Sequence, residues 1–254
     1  MTAQNPWFRN YQPNPQANLR LFCFPYAGGG ASIFRLWAKE LPSEIEVYPV
    51  QIPGRENRLR ESPFTQLSPL IQALIQVLPP YLDRPFAFFG YSMGALVSFE
   101  LTRELRRQNL PIPSQLIIAC RRAPQIPYQK PFTHKLSDAE FVEDLRLKGG
   151  TPEEVLQNPE LMELLLPIVR ADLAVNDTYS YTTELPLDCP ISVLGTSEDR
   201  EVSREQLDAW REHTTSSFSL EMFPGNHFFL INKGRSLLLQ AISDKVLGRV
   251  WENK

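Results

Sequence analysis

The sequence predicts an α/β fold with a mostly parallel central sheet flanked by helices. Three observations carry this. Six short apolar runs, several bounded by Pro or Gly, have the length of buried parallel strands: Arg20–Phe24, Val47–Ile52, Phe86–Phe89, Gln115–Cys120, Ile191–Leu194 and Phe218–Phe223. Helical patterns fall between them, at Ser32–Leu41, Leu67–Leu82, Met93–Gln108, Arg204–His213 and Lys233–Val250. Alternation of this kind indicates parallel pairing, because the chain needs a crossover to return to the same edge and a helix supplies it. Finally, the 23 prolines, well above the usual share of roughly 5%, are scattered as punctuation and mark many short elements with sharp ends.

One stretch breaks the rhythm. Between the strand ending near Cys120 and the one beginning at Ile191 there are helical patterns at Phe141–Lys148, Pro152–Leu156 and Pro159–Asp177 but no strand. The separation is far longer than a crossover requires. A helical lid inserted at about residues 125–185 is expected, within one domain spanning 1–254.

Composition narrows the function classes. A hydrophobic fraction of 43% with 22% charged residues is that of a globular chain. No apolar run is long enough to span a bilayer, and the N-terminus lacks the basic-then-apolar pattern of a secretory signal, so a cytoplasmic protein with no membrane partner is expected. The net charge of −3 argues against a nucleic-acid surface. Cys23, Cys120 and Cys189 are odd in number and widely spaced, and read as free thiols. No metal, no cofactor and a monomeric state are expected.

The chemistry concentrates at Gly90-Tyr91-Ser92-Met93-Gly94. It follows the run Phe86–Phe89 and opens the helical pattern, so the serine lies at a sharp strand-to-helix turn, the context of a nucleophile elbow. A serine hydroxyl needs a base, and three histidines are available. His134 lies in the Pro-rich approach to the lid, and His213 ends a predicted helix and reads as a solvated residue. His227 follows the last strand through Pro224-Gly225-Asn226, where this fold presents its base.

An acid between serine and histidine in chain order should orient the imidazole. The run Ile191–Leu194 leads into Gly195-Thr196-Ser197-Glu198-Asp199, which offers Asp199 as first choice and Glu198 as second. Asp188 precedes that strand at the opposite edge and Asp208 sits on the next helix. For an oxyanion, the backbone N–H of Met93 is one donor, and the Gly-rich loop Phe24-Pro25-Tyr26-Ala27-Gly28-Gly29-Gly30 should supply the other. That loop lacks both the Gly-Lys-Ser/Thr ending of a phosphate loop and the spacing of a dinucleotide fingerprint. Together these features resemble the α/β-hydrolase fold.

Segments spread along the chain resemble the free-standing type II thioesterases of nonribosomal peptide and polyketide synthesis. They are Leu21–Gly29, Gln51–Arg58, Gly90–Ala95, Gly149–Pro152, Leu166–Asp172, Gly195–Asp199 and Gly225–Leu230. The resemblance implies hydrolysis of acyl or aminoacyl groups from the phosphopantetheine arm of an acyl or peptidyl carrier protein. It also implies Ser92, Asp199 and His227 as the triad, with Ala27 and Met93 as oxyanion donors. Tyr91 departs from the family, where histidine often precedes the serine, and is expected to alter the polarity of the pocket. Arg121, Arg122, Lys130 and Lys135 are candidates for a basic rim that docks an acidic carrier. The lid is expected to fold over the acyl chain, while most of its apolar side chains, such as Leu161, Met162, Leu164, Leu165 and Leu166, pack helices together. The alternatives are a carboxylesterase or lipase acting on oxygen esters, an idle binding protein, and a terminal cyclising domain. A chain that starts at Met1 and reaches its first strand by Arg20 is expected to act in trans.

Overall fold

The computed structural model describes residues 5–8, 13–127, 132–229 and 234–248. Its centre is a sheet of six strands, β1 (Leu19–Phe24), β2 (Ile45–Pro49), β3 (Phe86–Tyr91), β4 (Gln115–Ala119), β5 (Ile191–Thr196) and β6 (Phe218–Phe223). Their order is β2-β1-β3-β4-β5-β6, and all five pairings are parallel. The α/β class with a parallel sheet is therefore the observed one.

Side chains alternate across the sheet as the two-residue strand period requires. On one face, Phe22 and Phe24 of β1 and Phe86 and Phe88 of β3 join a core with helices α2 (Leu67–Val77) and α3 (Met93–Arg107). On the other face, Leu21, Cys23, Ala87 and Phe89 pack with the short helix α1 (Trp37–Glu40) and with α8 (Arg235–Leu247). Both faces are covered, which is why the inner strands read as near-continuous apolar runs. No described helix is long and apolar enough to cross a membrane.

Between β4 and β5 come three helices, α4 (Asp138–Lys148), α5 (Glu153–Leu156) and α6 (Pro159–Asp177). They share a small apolar core of their own, built on Phe141, Leu145, Leu156, Met162 and Val169. Helix α4 starts at a capping box, in which Ser137 and Glu140 satisfy each other's backbone N–H groups, and stops at the left-handed Gly149. Leu161 and Leu164 of α6 remain exposed, so their apolar character is not spent on packing within the described residues. After β5 comes α7 (Arg204–Asp208).

Element ends differ from the sequence pattern for local reasons. The helix expected over Leu67–Leu82 stops at Val77, because Pro79 and Pro80 cannot donate; a 3-10 turn, Pro79–Tyr81, follows. The Ser32–Leu41 pattern splits into a 3-10 turn, Ala31–Phe34, and α1. The Ala31 and Ser32 N–H groups there are bound by the side chains of Gln51 and Glu56. The second strand ends at Pro49, and the chain peels away to bond Gln51 N–H to Trp7. For the last helix, Lys233 and Val250 lie outside the described residues, and Gly248 in the left-handed region ends it.

His213 is not the solvated residue its place in the sequence suggested. Its imidazole is buried among Phe99, Trp210 and Tyr181. Nε2 lies 2.6 Å from Gln125 Oε1, whose own amide nitrogen donates elsewhere, so Nε2 is the donor. Burial, and then the Arg103 charge, hold its pKa down to about 4, against an ordinary value of 6.5. Below pH 6.5 the unfolded chain therefore binds a proton that the folded one refuses, and stability is lost as pH falls from about 6.5 toward 4. Melting temperatures measured between pH 7 and 4 should fall through this window, and His213→Gln should flatten the decline; an equal slope in both proteins would show that another group controls it.

Candidate active site

The sheet order places the site. From β1 the chain moves outward to β2, whereas from β3 it moves the other way to β4, so the carboxyl ends of β1 and β3 border the crevice where α/β sheets bind ligands. Ser92 sits at the end of β3, and the Gly-rich loop Tyr26–Gly30 at the end of β1.

Ser92 has φ 52° and ψ −109°, outside the ordinary regions for a residue with a side chain. Its two flanking glycines explain how this is sustained. A Cβ on Gly90 would lie 2.3 Å from the Gly94 carbonyl oxygen, and one on Gly94 would lie 2.1 Å from that of Phe24. No side chain fits at either position, and the tight contact between β3, α3 and the loop after β1 presents the serine hydroxyl at the apex.

His227 Nε2 lies 3.2 Å from Ser92 Oγ, and His227 Nδ1 lies 2.7 Å from Asp199 Oδ2. A carboxylate only accepts, so Nδ1 carries the proton and Nε2 keeps its lone pair for the serine. The Asp199 side chain is 1% exposed. Its second oxygen accepts the backbone N–H groups of Glu201 at 2.7 Å and Val202 at 3.3 Å, which aims the first at the imidazole. Glu198, the other carboxylate weighed from the sequence, is exposed to solvent. Its backbone N–H bonds to Gly225 and that of Ser197 to Phe223, so the ends of β5 and β6 are zipped together and the acid and base loops stay side by side.

The imidazole rests between aromatic rings, with Tyr91 at 5.7 Å and Phe228 at 5.1 Å between centroids. Tyr91 is fully buried behind the histidine and is not among the residues that line the cavity. Its ring meets the site through the His227 imidazole. Cys120, with its thiol beside the same pair, is pushed up to about 12, first by burial and then by the Asp199 charge, and stays protonated near neutral pH. The ligating atoms of Cys120, Asp199 and His227 lie within 4.8 Å of one another. A thiol that resists ionisation and a carboxylate already bonded to the imidazole make a poor donor set for a cation.

Ser92 and His227 open into a cavity of about 330 Å³, whose far wall is formed by Leu145, Val155, Leu165 and Val169 of the inserted helices. Ala27 lines it as well, and Met93, the first residue of α3, has its N–H in the helix's first turn, where no intrahelical acceptor exists. Of the basic rim expected from the sequence, Arg121 and Arg122 line the cavity. Arg121 is buried and donates to Asn176 at 2.9 Å, Arg122 is half-buried and bonds the Ile126 carbonyl, and Lys130 lies outside the described residues. Lys135 is exposed, its ammonium over the Phe132 ring. His134, the third histidine, is 2.8 Å from Asp177 and does not approach Ser92. Sequence reasoning passed over Asp172, which the fold brings onto the Gly-rich loop from 144 residues away.

Comparisons with known proteins converge on one family. Residues 19–246 match the family described as Thioesterase domain. The gramicidin S biosynthesis protein GrsT of Aneurinibacillus migulanus is 48% identical over 226 residues, which cover 89% of this chain and 88% of that protein. The RedJ thioesterase from the prodiginine pathway of Streptomyces coelicolor superposes with a TM-score of 0.87 at 39% identity, covering 92% of each chain. BorB, a type II thioesterase from the borrelidin biosynthetic cluster, gives 0.87 at 36% identity, covering 97% of this chain and all of that one.

Exchanging Asp199 for Asn removes the charge but keeps the shape. Hydrolysis of an activated acyl substrate should fall on the order of 10³- to 10⁴-fold, because the amide favours the wrong imidazole tautomer. Glu198→Gln should leave the rate within about twofold, the expectation for a solvated side chain outside the relay. Comparable losses in both variants would contradict the assignment of the acid.

Proposed function

Since the chain belongs to the thioesterase domain family and is a thioester hydrolase, we propose that it works through an acyl-serine intermediate on Ser92 and clears acyl or aminoacyl groups from the phosphopantetheine arm of carrier proteins. The observation that carries this reading is the continuous relay from Asp199 through His227 to Ser92, opening into a cavity with an apolar wall.

His227 Nε2 takes the Ser92 proton as Oγ attacks the thioester carbonyl. The oxygen of the tetrahedral intermediate becomes anionic, facing the backbone N–H groups of Ala27 and Met93. Loss of one such donor typically costs about 3 kcal/mol of barrier stabilisation. The C–S bond then breaks, and the sulfur leaves with the proton held on His227. A thiol with a pKa near 8.5 needs far less help than an amine would. Water repeats the sequence on the acyl-serine, giving a free carboxylic acid and restoring the serine hydroxyl.

The relay alone serves oxygen esters equally well. The thioester reading is favoured because the relatives reported above are named as thioesterases or belong to antibiotic pathways. Their pathways also support a carrier-bound substrate and an editing role. The oxygen-ester alternative has no such support.

Incubating the protein with a panel of acylated and aminoacylated carrier proteins should release free phosphopantetheine thiol, detected as a mass loss on the carrier. Ser92→Ala should lower this release by at least about 10³-fold. Undiminished release by Ser92→Ala would remove the nucleophile assignment, and hydrolysis of small thioesters without turnover of any carrier would remove the carrier assignment.

A further inference from the structure

We propose that Arg55 and Asp172 form a positioning pair that fixes the Gly-rich oxyanion loop from the lid, so that the site is set for catalysis only while helix α6 is docked. This rests on the acyl-serine reading above, since an oxyanion loop matters only if a tetrahedral oxyanion forms. The two residues come from segments that the relay leaves without a task, Gln51–Arg58 and Leu166–Asp172.

The pair is almost wholly enclosed, with side chains 3% and 2% exposed. Asp172 Oδ1 accepts Arg55 Nη2 at 2.7 Å, and Oδ2 accepts both Arg55 Nη1 and the Gly28 backbone N–H, the latter at 2.7 Å. Arg55 Nη1 also donates to the Gly29 carbonyl at 3.2 Å, while Nε and Nη2 each reach the Pro53 carbonyl at 3.3 Å. The peptide group that follows Ala27 is therefore held by Asp172, and the next but one by Arg55. Val169, one turn earlier on α6, packs on the same spot; a Cβ on Gly28 would lie 2.8 Å from its Cγ2.

Gly28 has φ +82°, a backbone state that must be held from outside because glycine itself has little preference for it. An enclosed ion pair is by itself poor evidence of a stabilising role, since desolvation offsets most of its attraction. Its value here is geometric. Both partners spend hydrogen bonds on the loop, and one of them belongs to the inserted helices. Displacing α6 would remove the acceptor from Gly28 and leave the Arg55 charge buried without its carboxylate, so lid docking and the placement of the Ala27 N–H are linked.

The test compares Asp172→Asn and Arg55→Lys with the native protein by steady-state thioester hydrolysis, by affinity for a trifluoromethyl ketone that forms a tetrahedral adduct on Ser92, and by melting temperature. The expected result is a kcat lowered about 10- to 100-fold with KM within about threefold, as displacement of a transition-state donor requires. Ketone affinity should drop in proportion to kcat. A pair that only holds the fold together predicts a lower melting temperature with kcat and ketone affinity unchanged, and that result would overturn the proposal. If Asp172→Asn does not fold, Arg55→Lys and Val169→Ala, read in the same way, decide. Ser92→Ala measured alongside keeps the two readings separate. Activity retained there means that the acyl-serine reading fails; activity lost there but native kcat in the pair variants means that only the role of the pair fails.

Discussion

The active site depends on a close backbone contact. Gly94 lies so near the Phe24 carbonyl, and Gly90 so near Gly94, that the end of β3, the start of α3 and the loop after β1 form one unit with no room for a side chain between them. That contact holds Ser92 at a positive φ, a strain of roughly 1–3 kcal/mol that only a rigid surrounding can sustain. It also sets the Gly-rich loop beside the serine, so the proposed nucleophile and the proposed oxyanion donors belong to one packing unit. Asp199 and His227 come from the other half of the sheet, where the β5 and β6 ends are joined by backbone hydrogen bonds.

Around this unit the inserted helices do more than enclose space. They furnish the apolar cavity wall and, through Asp172 and Val169, touch the Gly-rich loop at Gly28. In the proposed scheme, closure over an acyl chain and readiness of the oxyanion site are features of one helix. The chemistry at sulfur suits such a design, because a good leaving group puts most of the demand on stabilising the tetrahedral oxygen.

Much of this could be read from the residues in order. The strand runs were legible because inner strands covered on both faces must be apolar throughout, and Ser92 because a turn of this shape requires glycine on both sides. Asp199 and Glu198 could not be separated by spacing, since the choice depends on which carboxylate meets the N–H groups of Glu201 and Val202 and which faces water. His213 and Arg121 were misread as surface residues because burial arises from tertiary packing against Trp210 and α6, which no local pattern records. The segment Leu166–Asp172 stands out by resemblance, but the contacts of Asp172 do not, for the same reason: its partners Arg55 and Gly28 lie 117 and 144 residues away in sequence.

The central claim is that the acyl group passes through Ser92. Mixing the protein with an excess of acyl-pantetheine thioester, quenching in acid within the first turnover and mapping peptides by mass gives the most direct measurement of it. The account predicts an adduct of the acyl mass on the peptide carrying Ser92 that decays as free acid appears. Full turnover with no adduct on that peptide, or an adduct on Cys120 instead, would contradict it.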